Sequence, residues 1–434
     1  MRAALKGMAY ATAGLAAVAA CATTNEYLAL PANDEDGGST MAWDDAAADT
    51  APVDAPDAAE DASDVSAEPR LCSMDGWCSV PVPDSQLSMV DVWPLAQRTF
   101  LLASSPFVGT KVLEWNASSQ AWAYVDDETQ NEVGDDGRLR QPTTIWAPND
   151  DEVYFAVSSA IDGYVYHGRR PAPPETKWSW TRSQFDGCAY ASLWVYGTSS
   201  DDVFAGACNR IYQKSGGPNV PAEDAGEPEG DAPEGWTLDH VETNDTAQVS
   251  FLGASGTGPE DVWFAGGRVT SRNVECALLV HRTPGGYETI ADSDVSDPTR
   301  CTAIPGAVSF GGRLHFVAQT GSERIVAFAR AVTPVRIVRA VDGGHVAAFG
   351  KTITVPSWSS VWTASEDELW MSPNLPTGQV RVGTELWGEA GAYAYSSISL
   401  DGQPVLSAIA KIRGTSTTNL WAVGGNHVFH KTTP

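Results

Sequence analysis

A short sequence motif, called here the phrase, recurs along most of this 434-residue chain. Its clear copies begin with acidic or amide residues, continue as an apolar run, and lie at residues 151–156, 201–206, 260–265, 367–370 and 419–424. Weaker copies lie at 100–103 and 314–317. One apolar residue in each copy is taken as equivalent, namely Phe100, Val153, Val203, Val262, Leu314, Leu369 and Leu420. The spacings are 53, 50, 59, 52, 55 and 51 residues, which predicts a propeller of four-stranded blades.

Composition favours the same all-β class. The chain has 40 Gly, 27 Pro and 16 Trp, and few long runs with helical periodicity. The last repeat stops after its third strand, so we expect residues 75–80 to supply the missing fourth strand and close the ring. The sequence therefore predicts a seven-bladed β-propeller over residues 71–434. A six-bladed ring with one divergent hairpin is the alternative.

The repeated phrases resemble the degenerate blades of secreted bacterial β-propeller lipoproteins. More distantly, they are similar to Asp-box propellers and to photosystem-assembly-factor propellers. The resemblance extends over residues 71–434, but each copy is short. It implies a fold and hardly constrains the function.

The N-terminus predicts export and lipid anchoring. Arg2 and Lys6 precede an uncharged segment, residues 7–20, which is typical of a signal peptide and short for a membrane span. The segment ends in Val-Ala-Ala-Cys at 18–21, which resembles the bacterial lipobox and implies a lipid on Cys21. Ala22 follows that cysteine, and the resemblance then implies the outer membrane. An ordinary cleavage site beside an accidental cysteine is the alternative.

Residues 22–70 differ sharply from the rest of the chain. They hold 13 acidic residues against one basic residue, Arg70. Such a segment cannot offset its ordering entropy by burying apolar surface, so we expect a disordered acidic tether. The whole chain has a formal net charge of -28, which excludes nucleic acid as the main partner because phosphate binding needs a surplus of Lys and Arg.

The residues that could carry chemistry follow the repeat. His167, His281 and His430 fall at one position of the predicted third strand, and the other histidines lack metal-ligand spacing. We therefore expect no metal and no cofactor. Most tryptophans recur at fixed strand positions, which favours packing between blades, whereas Trp358 is out of phase. No nucleophile motif or phosphate loop occurs in a suitable context, so no catalytic residue is predicted.

Loop length indicates where a ligand would bind. Loops from one blade's fourth strand to the next blade's first strand are long and varied, and they emerge on one face with the loops between second and third strands. That face is the predicted binding face. Its candidate residues are Asp126, Asp127, Glu128, Asp135, Asp136 and Trp358.

Six cysteines remain after Cys21, an even number in a chain predicted to be exported. Six cysteines allow 15 pairings. Strand polarity favours Cys188 with Cys208 and Cys276 with Cys301, and we then pair Cys72 with Cys78. Free buried thiols are the alternative.

These features predict a lipid-anchored binding module whose partners are the membrane, through the lipid, and an envelope protein or glycan. The alternative is a carbohydrate-active enzyme of the Asp-box propeller kind. Such a hydrolase needs two carboxylates about 5–10 Å apart in a pocket on the loop face. A binding module needs only an exposed patch.

Overall fold

The computed structural model describes a defined part of the chain, residues 72–131, 140–159, 162–186, 193–214, 232–242, 246–321, 324–329, 333–341, 343–351, 358–365, 367–373, 375–388, 390–400 and 403–433. The chain divides between Val65 and Ser66, and every described residue lies in the C-terminal unit. The predicted signal peptide, Cys21 and the acidic tether therefore lie outside the described residues.

The described residues form seven four-stranded antiparallel sheets, the blades of a propeller. The first strand of the chain is β1 (Trp77–Ser79). Blade 1 consists of β2 (Ser88–Pro94), β3 (Arg98–Ser105), β4 (Gly109–Asn116) and β5 (Ala121–Tyr124). Blade 2 consists of β6 (Gln141–Asn149), β7 (Glu152–Ser158), β8 (Asp162–Arg169) and β9 (Ser179–Asp186). Blade 3 consists of β10 (Trp194–Ser199), β11 (Asp202–Ala207), β12 (Arg210–Lys214) and β13 (Trp236–Val241).

The remaining blades follow the same plan. Blade 4 consists of β14 (Ala247–Gly258), β15 (Asp261–Thr270), β16 (Glu275–Thr283) and β17 (Gly286–Ala291), and a small hairpin follows it, β18 (Ser293–Asp294) and β19 (Thr302–Ala303). Blade 5 consists of β20 (Leu314–Gly321), β21 (Arg324–Ala329), β22 (Pro334–Arg339) and β23 (His345–Phe349). Blade 6 consists of β24 (Trp358–Ser365), β25 (Glu368–Pro373), β26 (Gln379–Thr384) and β27 (Ala392–Ser397), with a hairpin after it, β28 (Ser399–Leu400) and β29 (Gln403–Pro404). Blade 7 consists of β30 (Lys411–Ser416), β31 (Asn419–Gly424), β32 (His427–Lys431) and β1.

The ring closes in blade 7 as the sequence predicts. Strand β1 pairs antiparallel with β32, with Trp77 opposite Lys431 and Ser79 opposite Phe429. One blade thus contains the first and the last strand of the described chain. The first strand of each blade contacts the first strands of both neighbouring blades, so these seven inner strands surround a central channel.

The core confirms seven blades rather than six. Among the described residues, seven hydrophobic clusters each lie between two neighbouring blades. The second strands are buried along almost their whole length, as in β7 and β11, because a blade is packed on both faces. The recurring tryptophans belong to this core, and Trp146, Trp194, Trp263, Trp370 and Trp421 are all buried.

Blade 5 corrects one part of the predicted repeat. Leu314 lies in the inner strand β20, not in a second strand. The second strand of this blade is β21, in which Ile325 and Val326 are buried. At the position that Asp202 and Asp261 hold in their blades, this strand has Arg324, so the repeated pattern did not identify it.

Outside the strands, the described residues contain one 3-10 turn, at Thr129–Asn131, and no α-helix. Within the described part of the chain, no helix is long and apolar enough to cross a membrane.

We predict that truncating Trp77 weakens the whole ring. Its side chain is fully buried, its indole N–H donates to Ser396 Oγ at 2.8 Å, and its ring meets Trp370 edge-on at 6.1 Å. Because it fastens β1 against blade 6, Trp77→Ala should lower the free energy of unfolding by about 3–5 kcal/mol in urea denaturation. Met74→Ala, at a residue 98% exposed, is the control and should change nothing. Equal midpoints for the two variants would contradict this account of closure.

Candidate functional site

The central channel opens into a cavity on the face where the inner strands begin. This cavity has a volume of about 410 Å³ and is called here the channel mouth; it is lined by Thr143, Thr144, Leu193, Trp194, Leu252, His315, Phe316, Trp358, Ser359 and Lys411. Each inner strand is reached from the outer strand of the preceding blade, so the mouth lies on the predicted loop face. A deeper cavity of about 100 Å³ shares several of these residues and extends to Trp93, Tyr196 and Arg413.

Backbone bulges build much of the channel mouth. The pairing of inner and second strands shifts register in five inner strands, near the start of four of them and in the middle of β14, and each shift leaves one residue of the inner strand unpaired. Four of these extra residues line the mouth, namely Thr143, Leu252, His315 and Ser359. A bulge redirects a side chain out of the regular alternation of a strand. Among the described residues, the mouth is therefore shaped mainly by residues of the inner strands.

Side chains on the inner strands bind the backbone of the next blade. Thr144 Oγ1 accepts a hydrogen bond from Val195 N at 3.1 Å, and Ser360 Oγ accepts one from Ile412 N at 3.1 Å. Ser255 Oγ accepts one from Gln319 N at 2.9 Å. Each bond satisfies a buried or half-buried donor and links neighbouring blades. The wall of the channel is thus fixed from blade to blade.

A charged cluster lies beside the channel where blade 7 meets blade 1. Asp91 is fully buried and accepts hydrogen bonds from Arg413 Nε at 2.9 Å and Arg413 Nη2 at 3.1 Å. It also accepts one from Ile145 N at 3.2 Å. Burial raises the pKa of Asp91, but Arg413 and Lys411 outweigh that effect and hold the pKa below its usual value. Asp91 therefore stays ionised and joins three blades.

Lys411 is the second cation of this cluster. It begins β30 and lines both cavities. Burial lowers the pKa of its ammonium group, and the nearby Asp91 carboxylate opposes that effect. Its ammonium lies 5.8 Å from the centre of the Phe316 ring.

Trp358 takes a different position from the one predicted. It is the first residue of the inner strand β24 and does not precede the strand. It is 4% exposed, packs with Leu369, Met371 and Leu386, and forms part of the wall of the channel mouth. It is therefore a lining residue and not an exposed platform.

The acidic candidates of the loop face have local contacts where they are described. The Asp126 side chain is 2% exposed and accepts hydrogen bonds from Lys111 Nζ at 2.9 Å and Val112 N at 3.1 Å. Asp127 accepts hydrogen bonds from Thr129 and Gln130 in the following 3-10 turn. Glu128 is exposed, and Asp135 and Asp136 lie outside the described residues. A binding role for this acidic segment stays a prediction.

Disulfides join Cys72 to Cys78 and Cys276 to Cys301, two of the predicted pairs. Cys208 is also disulfide-bonded, and its predicted partner Cys188 lies outside the described residues. The Cys276–Cys301 disulfide joins β16 to the long connection that enters blade 5, on the face of the channel mouth.

The repeated histidines are structural, as the sequence predicts. His167, His281 and His430 stack on Tyr154, Trp263 and Trp421, their partners on the adjacent second strands, with ring centres 4.0, 3.8 and 4.1 Å apart. Glu114 and Gln213 face Phe100 and Phe204 at the same register position. Among the described residues, no group of three or more His, Cys, Asp or Glu is placed to hold a metal ion.

The acids at the start of two second strands bind side chains. Asp261 accepts hydrogen bonds from Thr257 Oγ1 at 2.6 Å and from Gln319 Nε2 at 2.6 Å, and lies 2.8 Å from His281 Nε2. Asp202 accepts one from Gln213 Nε2 at 3.0 Å. These contacts link a turn to the third strand and to the next blade.

Sequence reasoning missed Asp91, Lys411 and Arg413. A signal was present, because Asp91 interrupts the apolar run 89–93 and the two cations alternate at the start of the last repeat. The pattern showed that these charges sit in inner strands, but not that the first and last blades bring them together.

Comparisons with known proteins support the fold. No protein-family profile and no curated protein matches the chain. Among solved structures, the propeller is similar to YCF48 bound to D1 peptide, with a TM-score of 0.50 and 13% identity over 84% of this chain and 98% of that chain. Raptor of Chaetomium thermophilum gives a TM-score of 0.49 and 8% identity, over 83% of this chain and 29% of that chain. The likeness to YCF48 confirms, for the fold alone, the resemblance to propellers of the photosystem-assembly-factor kind.

We predict that two stacked histidines destabilise the ring in acid. Burial, with nearby Lys214 and Arg169, lowers the pKa of His167 from 6.5 to about 3, and burial lowers that of His430 from 6.5 to about 4. Since both folded-state pKa values lie below the unfolded value, the stabilisation is complete above pH 6.5 and is lost as the pH falls towards these values.

The test compares the wild type with a His167→Gln/His430→Gln variant, because Gln213 already occupies the equivalent position in blade 3. Unfolding free energies measured between pH 6.5 and 4 should fall less steeply for the variant. Parallel curves would show that these two histidines do not titrate on unfolding.

Proposed function

We propose that this chain is a non-enzymatic binding protein that takes a segment of another protein in its channel mouth. We also propose that a lipid on Cys21 anchors it, after export, in the cell envelope and most simply in the outer membrane. The observation that carries the binding proposal is the channel mouth itself. It is a preformed cavity of about 410 Å³ with aromatic and aliphatic walls, a size and lining usual for ligand pockets.

The construction of the mouth favours binding. Its side chains are presented by bulged inner strands whose backbones are linked from blade to blade. A ligand would therefore meet groups that are already ordered, and little entropy would be lost in arranging them. The solved YCF48 structure is described as bound to a D1 peptide, which supports the idea that a propeller of this fold serves peptide binding.

The hydrolase alternative is less well supported. No Asp or Glu occurs among the described residues that line the two channel cavities. The nearby Asp91 carboxylate is fully buried and already accepts hydrogen bonds from Arg413 and Ile145. Among the described lining residues there is no second carboxylate with which it could act as acid and base.

A glycan is also a weaker candidate than a peptide. Trp194 and Trp358 could stack on a sugar, but the aliphatic and aromatic half of the described lining offers few partners to its hydroxyl groups. The indole N–H of Trp194 is already bonded to Phe251 O at 3.0 Å.

Export is supported by the cysteines. Disulfides persist in oxidising compartments and are rare in reducing ones, and two are present among the described residues. The lipid anchor and its membrane rest on the sequence at Val18–Ala22.

We predict that peptides selected on this protein occupy the channel mouth. Short random peptides are selected by display on the full chain, and their affinities are measured on Leu252→Trp, which fills the cavity from a bulge, and on Leu406→Trp. Leu406 is 82% exposed and does not line the mouth, so it is a matched control. Leu252→Trp should weaken binding at least tenfold, about 1.4 kcal/mol, and Leu406→Trp should leave it unchanged. Thermal melting must first show that both variants are folded. Equal peptide affinities for the two folded variants would then refute binding in the mouth.

We predict separately that Cys21→Ser abolishes membrane attachment. The wild type should partition into the detergent phase and carry an acylated N-terminal cysteine by mass spectrometry, because several acyl chains hold a protein firmly. The variant should stay in the aqueous phase. An unmodified wild-type terminus would contradict the anchor without bearing on the binding proposal.

A further inference from the structure

The channel carries positive charge inside a strongly acidic protein. The whole chain has a formal net charge of -28. Yet the charged groups that face one another where blade 7 meets blade 1 are two cations, Lys411 and Arg413, and one carboxylate, Asp91. Arg413 and Asp91 neutralise each other through two hydrogen bonds. Lys411 is the cation left over.

The ammonium group of Lys411 makes no hydrogen bond or ion pair with any described residue, although it is half-buried and lines both cavities. The attraction between Lys411 and Asp91 acts without a hydrogen bond or an ion-pair contact. The hydrogen-bonding capacity of the ammonium group is therefore unused among the described residues, which is unfavourable for a charge held away from water. The position of Lys411 therefore indicates an anion that enters the channel.

A second donor lies in the same cavity. The indole N–H of Trp358 is buried and has no acceptor among the described residues. Trp358 and Lys411 both line the channel mouth, and the described lining residues include no carboxylate that could serve either of them. The mouth thus offers a charged donor and a neutral donor within walls formed by residues such as Leu193, Leu252 and Phe316.

From this arrangement we infer that the channel mouth recognises a carboxylate carried on an apolar body, with Lys411 as its ion-pair partner. The inference rests on the proposed function and names the chemical class of its ligand. A carboxylate fits better than a phosphate, because one unpaired cation matches a single negative charge and Arg413 is already held by Asp91. In a peptide the carboxylate is either the free C-terminus or the side chain of Asp or Glu.

The test uses those selected peptides whose binding is weakened by the Leu252→Trp substitution, since these peptides occupy the channel mouth. Each is made with a free C-terminal carboxylate, as the C-terminal amide, and as the amide with Asp and Glu replaced by Asn and Gln. Affinities for the wild type, Lys411→Met and Lys177→Met are measured by calorimetry at neutral pH. Lys177 is exposed, so its variant is a matched control for loss of one positive charge.

Removing the recognised carboxylate should weaken binding to the wild type and to Lys177→Met at least tenfold. It should change binding to Lys411→Met less than twofold, because the partner of the carboxylate is gone. If the affinity drops on amidation, the recognised carboxylate is the C-terminus. If it drops only when Asp and Glu are replaced, the recognised carboxylate belongs to an acidic side chain. Trp358→Phe should weaken the carboxylate forms selectively. Lys411→Met removes a cation that also acts on Asp91, so its folding is checked by thermal melting, and Lys411→Gln is the second variant if it does not fold.

Two failures are distinguishable. If peptides whose binding is weakened by Leu252→Trp bind equally well with and without carboxylates, this inference is wrong and the proposed function stands. The inference is also wrong if Lys411→Met prefers carboxylate peptides as strongly as Lys177→Met does. If the affinities of the selected peptides are unchanged by Leu252→Trp, the proposed function is refuted instead.

Discussion

The pairing of β1 with β32 is the contact on which the propeller depends. It gives blade 7 its outer strand and places Trp77 between blades 6 and 7, in a cluster that includes Trp370 and Phe429. Without it, β32 would present an unpaired edge, and the two ends of the ring would be held by side chains alone. A ring is stabilised only as a whole, since each blade buries its faces against two neighbours.

Closure also creates the charged part of the site. Asp91 lies in the first blade and Arg413 in the last, 322 residues apart in the chain, and their ion pair crosses the place where the ring closes. Lys411 lies two residues before Arg413 and shares that position. A protein with this net charge repels anions over much of its surface, so a local cation in its wall gives the channel mouth a distinct electrostatic character. Ring closure therefore both stabilises the fold and positions Lys411, the residue that we expect to determine which ligand binds.

Much of the fold could be predicted from the sequence because blade packing leaves a regular trace. A second strand buried on both faces reads as an apolar run, and the acid before it bonds to the third strand or the next blade, so both recur at the blade period. Where β21 begins with Arg324 in place of that acid, the pattern selected β20 instead. The missing outer strand was predictable because strands need partners, whatever the sequence of β1.

The site was much less predictable. Leu252 and Ser359 line the channel mouth because bulges redirect them, and a bulge depends on the register of two strands, which sequence alone does not reveal. Trp358 was singled out for being out of phase, but its burial and its place in the wall depend on packing against Leu369 and Leu386. The acidic loop residues Asp126 and Asp127 drew attention by their charge, whereas that charge is used in local hydrogen bonds.

A crystal structure of the full chain with a selected peptide bound would show whether the channel mouth holds a peptide by its carboxylate. We expect peptide density in the mouth beside Leu252 and Trp358, with a carboxylate oxygen about 2.7–3.2 Å from Lys411 Nζ. Peptide density on the outer strands or the opposite face, or a peptide in the mouth whose carboxylates point away from Lys411, would contradict it.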